Sequence, residues 1–228
     1  MDFEKVLNDR HSVRDFKDTP VKIDLIKEIV QEAQKSPSWV NSQPWKVYAA
    51  TGKTLENIKQ AYLDKDSQKG YPDFPVMHRE DWSEAAQANM KQWRHEIVHH
   101  FDDFDQAHEK MGFASSHLYS TPAMLFITIP KNSSKWSIFD AGAFSQTLML
   151  SAQDKGLDTI PNYTSVRFPD VIRKFTDIPD DETLVVGIAI GYAKDSTINT
   201  YRSKRVPVDD ILKSKTKKAS LDCRKTTF

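Results

Sequence analysis

A single cysteine, Cys223, rules out an internal disulfide and points to a reducing compartment. Charge of one sign is not in excess: Lys+Arg and Asp+Glu number 32 each. That balance argues against a general nucleic-acid binder, which is ordinarily basic. Glycine is scarce at 7 residues, and none forms G-x-G-x-x-G or a Walker A loop. No nucleotide is therefore expected on a Rossmann turn or a P-loop. No serine lies in G-x-S-x-G, so a hydrolase elbow is absent. The longest apolar stretches, such as Leu184 to Ile190, fall far short of a bilayer span. The first residues, Met-Asp-Phe-Glu-Lys, lack the basic-then-apolar order of a secretion signal. The expectation is a cytoplasmic protein with no membrane or nucleic-acid partner.

A chain of 228 residues, 39% hydrophobic, suits one domain with a packed core. Residues 22–35 place Ile26, Ile29, Val30 and Ala33 at helical spacing, and Pro37 ends that helix. Residues 46–50 read as a short strand and 54–63 as a helix, with 71–75 a loop. Residues 80–118 are mostly helical by composition, charged and rich in His and aromatics. Residues 124–129 form a nearly all-apolar buried strand. A long helix over 137–155 sets Ile138, Ala141, Phe144, Leu148 and Ala152 on one face, with Gly156 at a left-handed C-cap. Another helix starts at Pro169. A second buried strand covers 184–192, where Gly187 and Gly191 allow another backbone to approach. Helices outnumber strands and no β-α-β series appears, which predicts an α+β layered fold. The arm over 196–207 shows no helical pattern. After Leu212 the chain is Lys-rich without apolar periodicity, so 213–228 is expected to be a disordered basic tail.

Two segments carry chemistry. In Arg10-His11-Ser12-Val13-Arg14, two guanidinium forks and a hydroxyl suit a phosphate, and an extended backbone turns Arg10, Ser12 and Arg14 to one side. The alternative is a solvated surface pair. In Ser36-Pro37-Ser38-Trp39-Val40-Asn41-Ser42-Gln43-Pro44-Trp45, two prolines stiffen a loop of amide and hydroxyl groups. Its two indoles can wall off a flat ligand or fill core. A rival motif is His95-Glu96-Ile97-Val98-His99, the H-E-x-x-H pattern of zinc hydrolases. Five of the seven histidines lie from His95 to His117, so a chance match is easy there, and a solvated helix face is the favoured alternative.

The order of four motifs resembles the FMN-dependent nitroreductase family. They are R-H-S-x-R-x-F from Arg10, S-P-S-x-x-N-S-Q-P-W from Ser36, G-L-D-x-x-P from Gly156 and R-V-P from Arg205. The resemblance covers about residues 2–212, least well over 64–115. It implies a three-layer α+β fold with a mostly antiparallel sheet flanked by helices, residues 1–212 forming one FMN-binding domain. Residues 64–115 would be a helical access region, with Trp82, Trp93, Phe101, Phe104 and Phe113 candidates for its lining. The C-terminal arm would cross onto the partner in a homodimer.

The implied activity is an FMN oxidoreductase that takes hydride from NADH or NADPH and reduces a small acceptor, a nitroaromatic or a quinone, by ping-pong turnover. A flavin-binding redox module without turnover is the other reading. By resemblance, Arg10, His11, Ser12 and Arg14 line the flavin, and Arg205 meets its phosphate. Pro37, Ser38, Trp39 and Asn41 reach the partner's flavin. Asp140 approaches the ring, or is a surface aspartate. Pro161, Asn162, Tyr163 and Thr164 pass close to N5. No protein side chain is expected to be catalytic in its own right, and no metal is implied. The chain departs from the family pattern at Tyr163-Thr164, where many relatives carry Glu-Gly. It departs again at Ser203, where many carry a lysine that Arg202 or Lys204 can replace.

Overall fold

The computed structural model describes residues 2–215. The tail beyond Lys215, with Cys223, lies outside the described residues. Four strands form one sheet in the order β1-β2-β4-β3: β1 (Lys46–Thr51), β2 (Ala123–Pro130), β3 (Asp158–Asn162) and β4 (Glu182–Gly191). Every pairing within it is antiparallel. The two apolar runs expected as buried strands are β2 and β4, which pair at the centre. β2 is buried along nearly its whole length because helices cover both faces.

Side-chain alternation divides the core into two layers. Met124 and Phe126 of β2 point towards α3 (Gly52–Asp64) and α7 (Pro169–Phe175), together with Val13, Phe16 and Tyr62. Leu125 and Ile127 point the other way, towards α2 (Ile23–Ala33) and α6 (Lys135–Asp154). α2 meets the sheet through Ile26, Ile29 and Ala33, the residues its spacing singled out. α6 ends as expected: Gly156 sits at φ 77°, and the amides of Gly156 and Leu157 return to the carbonyls of Gln153 and Ala152.

Other elements were not visible in the pattern. α1 (Phe3–Asp9) buries only Val6. β3 is short and contains Pro161, which an edge strand tolerates because one row of its N–H groups goes unpaired. The helical stretch over 80–118 divides into α4 (Glu84–Val98) and α5 (Phe104–Ser116), capped by Ser83 and Asp103. The arm needs a correction. Its start forms a helical turn, α8 (Thr197–Thr200), with Ile198 and Asn199 buried. α9 (Val208–Ile211) follows. One turn is too short to show a period, and side-chain contacts hold it.

The reason for the strand glycines also differs from the sequence expectation. Side chains, not backbone, approach them. A Cβ on Gly187 would stand 1.9 Å from Ser165 Oγ and 2.9 Å from its Cβ. Ser165 is itself fully buried and fixed by Asn162. Gly187→Ala is therefore expected to destabilise the protein by about 1–3 kcal/mol through overpacking. Chemical denaturation measures this, and an unchanged midpoint contradicts it.

Candidate functional site

Where α1 ends, Arg10 turns the chain extended, and its amide closes the helix on the Val6 carbonyl. Ser12 then forms a parallel bridge to Thr159 of β3, and Val13 N–H donates to the Thr159 carbonyl at 3.2 Å. Val13 and Phe16 are fully buried and pin this stretch against the sheet edge. Arg10, His11, Ser12 and Arg14 stay half-buried.

Asn199 binds this stretch to the arm. Its Oδ1 accepts from the amides of Arg14 at 2.7 Å and Asp15 at 3.2 Å. Its Nδ2 donates to the carbonyls of Asp15 at 2.7 Å and Lys194 at 3.0 Å. The His11 ring lies between the Asp9 and Asn199 carbonyls, at 2.9 and 3.0 Å. Burial lowers its pKa, and the Arg202 charge adds to that, outweighing the two carbonyls and Asp158.

Charge at this site is unbalanced. Burial lowers the Arg10 pKa, and the neighbouring Arg205 charge lowers it further. Neither guanidinium has a carboxylate partner among the described residues; Arg205 donates only to the carbonyls of Ser203 and Lys204. Two close, like-charged forks without a counter-ion suit an anion with several oxygens.

Arg14 lies deeper. Its Nη1 donates to the Ser12 carbonyl at 3.1 Å, and its guanidinium stands 5.9 Å from the Trp93 ring centre on α4. Burial lowers its pKa, against the neighbouring Tyr119 and Tyr201 hydroxyls. Tyr119 sits in a turn whose residues Leu118, Tyr119 and Ser120 all have positive φ. Burial raises its pKa, opposed by a hydrogen bond with Thr164 and by the Arg14 charge. Thr164 Oγ1 also pairs with Ser115 Oγ at 3.0 Å. Arg14 and Thr164, far apart in sequence, thus meet across Tyr119.

Beyond β3, Pro161 and Tyr163 are exposed, whereas Asn162 is buried. The Asn162 side chain is used internally: Oδ1 accepts from Ser165 N–H at 2.9 Å, and Nδ2 donates to the Ile160 and Gly187 carbonyls.

A family model described as the nitroreductase family matches residues 7–192. The chain belongs to the nitroreductase family. It is 32% identical over 213 residues to a 4-nitrobenzoate reductase of Pseudomonas putida, covering 90% of this chain and 91% of that one. It is 28% identical over 207 residues to a nitrobenzene nitroreductase of Ectopseudomonas oleovorans, covering 85% and 87%. Its fold matches the FMN-dependent nitroreductase NfnB from Mycobacterium smegmatis, solved in complex with NADPH, at a TM-score of 0.85 and 22% identity, covering 93% and 97%.

In this nitroreductase the second expected segment is held by other contacts than the first. Among the described residues no hydrogen bond, ion pair or ring contact joins Pro37–Asn41 to the Arg10 cluster. The loop rests on α6 instead. Asp140, only 2% exposed, accepts from the Trp39 amide at 3.1 Å, so it is not a surface aspartate. Trp39 stacks on Trp136 at 5.4 Å. Ser38 Oγ accepts from Gln43 N–H, and Asn41 Oδ1 from Gln43 Nε2. These contacts hold Val40 at φ 50°, a conformation that costs a β-branched residue on the order of 1–2 kcal/mol.

The zinc motif is occupied otherwise. The His95 and His99 rings stack at 4.0 Å, and His99 Nδ1 contacts the His95 carbonyl. Glu96 accepts from Lys204 Nζ at 2.8 Å and from Gln92. Among the described residues, no three His, Cys, Asp or Glu side chains converge as metal ligands.

The sequence reading missed Asn199 and Tyr119. A lone Asn in Thr-Ile-Asn-Thr gives no signal, because three of its four side-chain bonds go to backbone groups some 185 residues away.

Proposed function

We propose that this nitroreductase is an FMN enzyme that oxidises NADH or NADPH and reduces a small nitroaromatic or quinone acceptor. The observation that carries this is the Arg10–Arg205 couple, without a carboxylate partner among the described residues, within a chain of this family. Its donor chemistry fits a terminal phosphate, and the Ser12 hydroxyl beside it is also without a partner among the described residues. Arg10, Ser12 and Arg205 would hold the phosphate end. Arg14 would set positive charge against the ring edge, with Trp93 beside it at 5.9 Å. When bound, FMN supplies two-electron transfer between the nicotinamide and the acceptor. The chain's own residues bind and orient it, and α4 and α5 keep water from its surroundings as the access region.

Steady-state oxidation of NADPH and NADH, with and without an added nitroaromatic, tests the reading. Acceptor-dependent turnover is expected, with His95→Ala and Glu96→Gln within a few-fold of the parent and no effect of a chelator. Failure of turnover in a flavin-loaded protein would favour the redox module. Near-total loss in either variant would contradict the reading of His95 and Glu96 as bystanders to turnover.

We also infer a homodimer whose chains share each site. An apolar surface runs over Trp39 and Trp136 to Phe139, with Trp39 58% and Phe139 67% exposed. The arm beyond Tyr201 is exposed throughout, including Ile211 at 69%. Exposed apolar surface of this kind supports an interface there. It also gives the Pro37–Asn41 loop, which makes no hydrogen bond, ion pair or ring contact with its own Arg10 cluster among the described residues, a place beside the partner's. No helix is long and apolar enough to cross a membrane among the described residues. Deleting 202–228 is expected to yield a monomer without FMN, whereas deleting 216–228 changes neither property. Sedimentation read at a flavin wavelength decides it. A folded monomer that keeps FMN after the longer deletion contradicts the shared site.

A further inference from the structure

The turn that leads into β2 is strained at consecutive residues. Leu118, Tyr119 and Ser120 hold φ of 47°, 61° and 54°, and none is glycine. Left-handed backbone is costly for any residue with a Cβ, and such residues adopt it singly rather than in runs. The surroundings enforce it here. Leu118 is fully buried. The Ser120 amide donates to the His117 carbonyl at 3.0 Å, and the Thr121 amide to the Leu118 carbonyl at 3.3 Å. The Tyr119 carbonyl accepts from Phe16 N–H at 3.3 Å, which ties the turn to the stretch that carries Arg14. Strain of this kind collects at functional sites, where the fold over-determines one side chain.

Tyr119 is the side chain that this turn places. Its ring packs against the core layer of Val13 and Phe16 and against the cluster between α4 and α5. Its hydroxyl meets Thr164, which pairs in turn with Ser115 of α5. Arg14 is its charged neighbour, and little else orients Arg14. Among the described residues that guanidinium has no carboxylate partner; it donates to the Ser12 carbonyl at 3.1 Å, with Trp93 at 5.9 Å. The side-chain oxygens beside it are phenolic, Tyr119 first and Tyr201 second. Each is held by another element, Tyr119 by Thr164 and Tyr201 by Glu96 of α4 at 3.5 Å.

We propose that Tyr119 is a positioning residue for Arg14: the strained turn and Thr164 fix its phenol oxygen, and that oxygen sets the direction of the guanidinium fork. What this does to a flavin rests on the FMN reading above. The placing of Arg14 does not.

Tyr119→Phe keeps the ring and removes the oxygen. The first measurement is made on the full-length, cofactor-free protein with isotope-labelled arginine. The Arg14 Nε–H signal in the NMR spectrum, assigned by its loss in Arg14→Lys, is expected to shift, while the urea midpoint stays near the parent's. Thr164→Val should also shift that signal, and Thr164→Ser, which keeps the hydroxyl, should leave it in place. An Arg14 signal unmoved by Tyr119→Phe overturns the proposal, whether or not FMN binds. In the flavin-loaded protein, Tyr119→Phe should weaken FMN about three- to tenfold, the worth of one hydrogen bond. It should also lower the flavin reduction potential, because a guanidinium turned away from the ring edge stabilises the reduced anion less. Neither effect should appear when the substitution is made on Arg14→Ala. Effects of equal size on both backgrounds overturn the proposal, since Tyr119 would then act without Arg14. A parent protein that binds no FMN overturns the FMN reading alone, and the Arg14 signal then decides for or against Tyr119.

Discussion

Asn199→Ala is expected to be the most damaging single substitution outside the hydrophobic core. Asn199 is 7% exposed and makes four hydrogen bonds to backbone groups of Arg14, Asp15 and Lys194. Truncation strands two N–H groups and two carbonyls in a site that water reaches poorly. Leaving buried polar groups unsatisfied costs about 1–3 kcal/mol each, with partial recovery by water, so a loss of roughly 2–4 kcal/mol is predicted. The same bonds fix the Arg10–Arg14 stretch against the arm that carries Arg205. Cofactor affinity should therefore fall together with stability, by tenfold or more. Asn199→Asp should not rescue, because a carboxylate would face the Asp15 and Lys194 carbonyls where Nδ2 now donates. Urea denaturation of the cofactor-free protein and an FMN titration read the two effects. An unchanged midpoint with parent-like FMN affinity would show that Asn199 does not organise the site.

Arg10→Ala and Arg205→Ala are predicted to separate binding from stability. Removing a charge-assisted contact to phosphate costs about 1.5–3 kcal/mol, or roughly ten- to a hundred-fold in affinity. In the cofactor-free protein the two guanidiniums repel each other, and that repulsion contributes to lowering the Arg10 pKa. Either substitution should then leave the stability of the cofactor-free protein unchanged or slightly higher, while FMN binding weakens. A residue with a purely structural role would show the opposite, lower stability with affinity intact. Added salt should weaken FMN binding to the parent more than to either variant, since screening acts on the charges that remain. Fluorescence titration with FMN and parallel unfolding curves measure both arms.

How much of this was legible in the sequence follows from the range of the interactions. β2 and β4 announce themselves because burial on both faces demands unbroken apolar runs. α2 and α6 do so because one buried face imposes a 3.6-residue period. Gly156 is visible because a left-handed C-cap selects glycine. β3 is hidden by its length and by Pro161, which its edge position tolerates. α8 is a single turn, too short to show a period.

The site divides the same way. The arginines of the Arg10–Arg14 stretch and Arg205 are readable as candidate anion ligands, because their chemistry resides in the side chains. What brings Arg10 to Arg205 is Asn199, acting on main-chain atoms, and no pattern of residue types records that. Trp39 and Asp140 are legible as residues of interest but not as partners, since the bond from the Trp39 amide to Asp140 depends on the left-handed turn at Val40 and Asn41. The H-E-x-x-H match shows the reverse case. A spacing with strong chemical meaning is used here for a ring stack and for an ion pair from Glu96 to Lys204 in the arm.

The most direct test is the identity and amount of chromophore released from the purified full-length protein. Acid release followed by chromatography against FMN and FAD standards, with metal analysis of the same sample, is sufficient. A yellow protein that releases one FMN per chain and holds no stoichiometric zinc is predicted. A colourless protein that fails to take up added FMN, or one that releases FAD or carries stoichiometric zinc, contradicts the assignment of the Arg10–Arg205 cluster to the FMN phosphate.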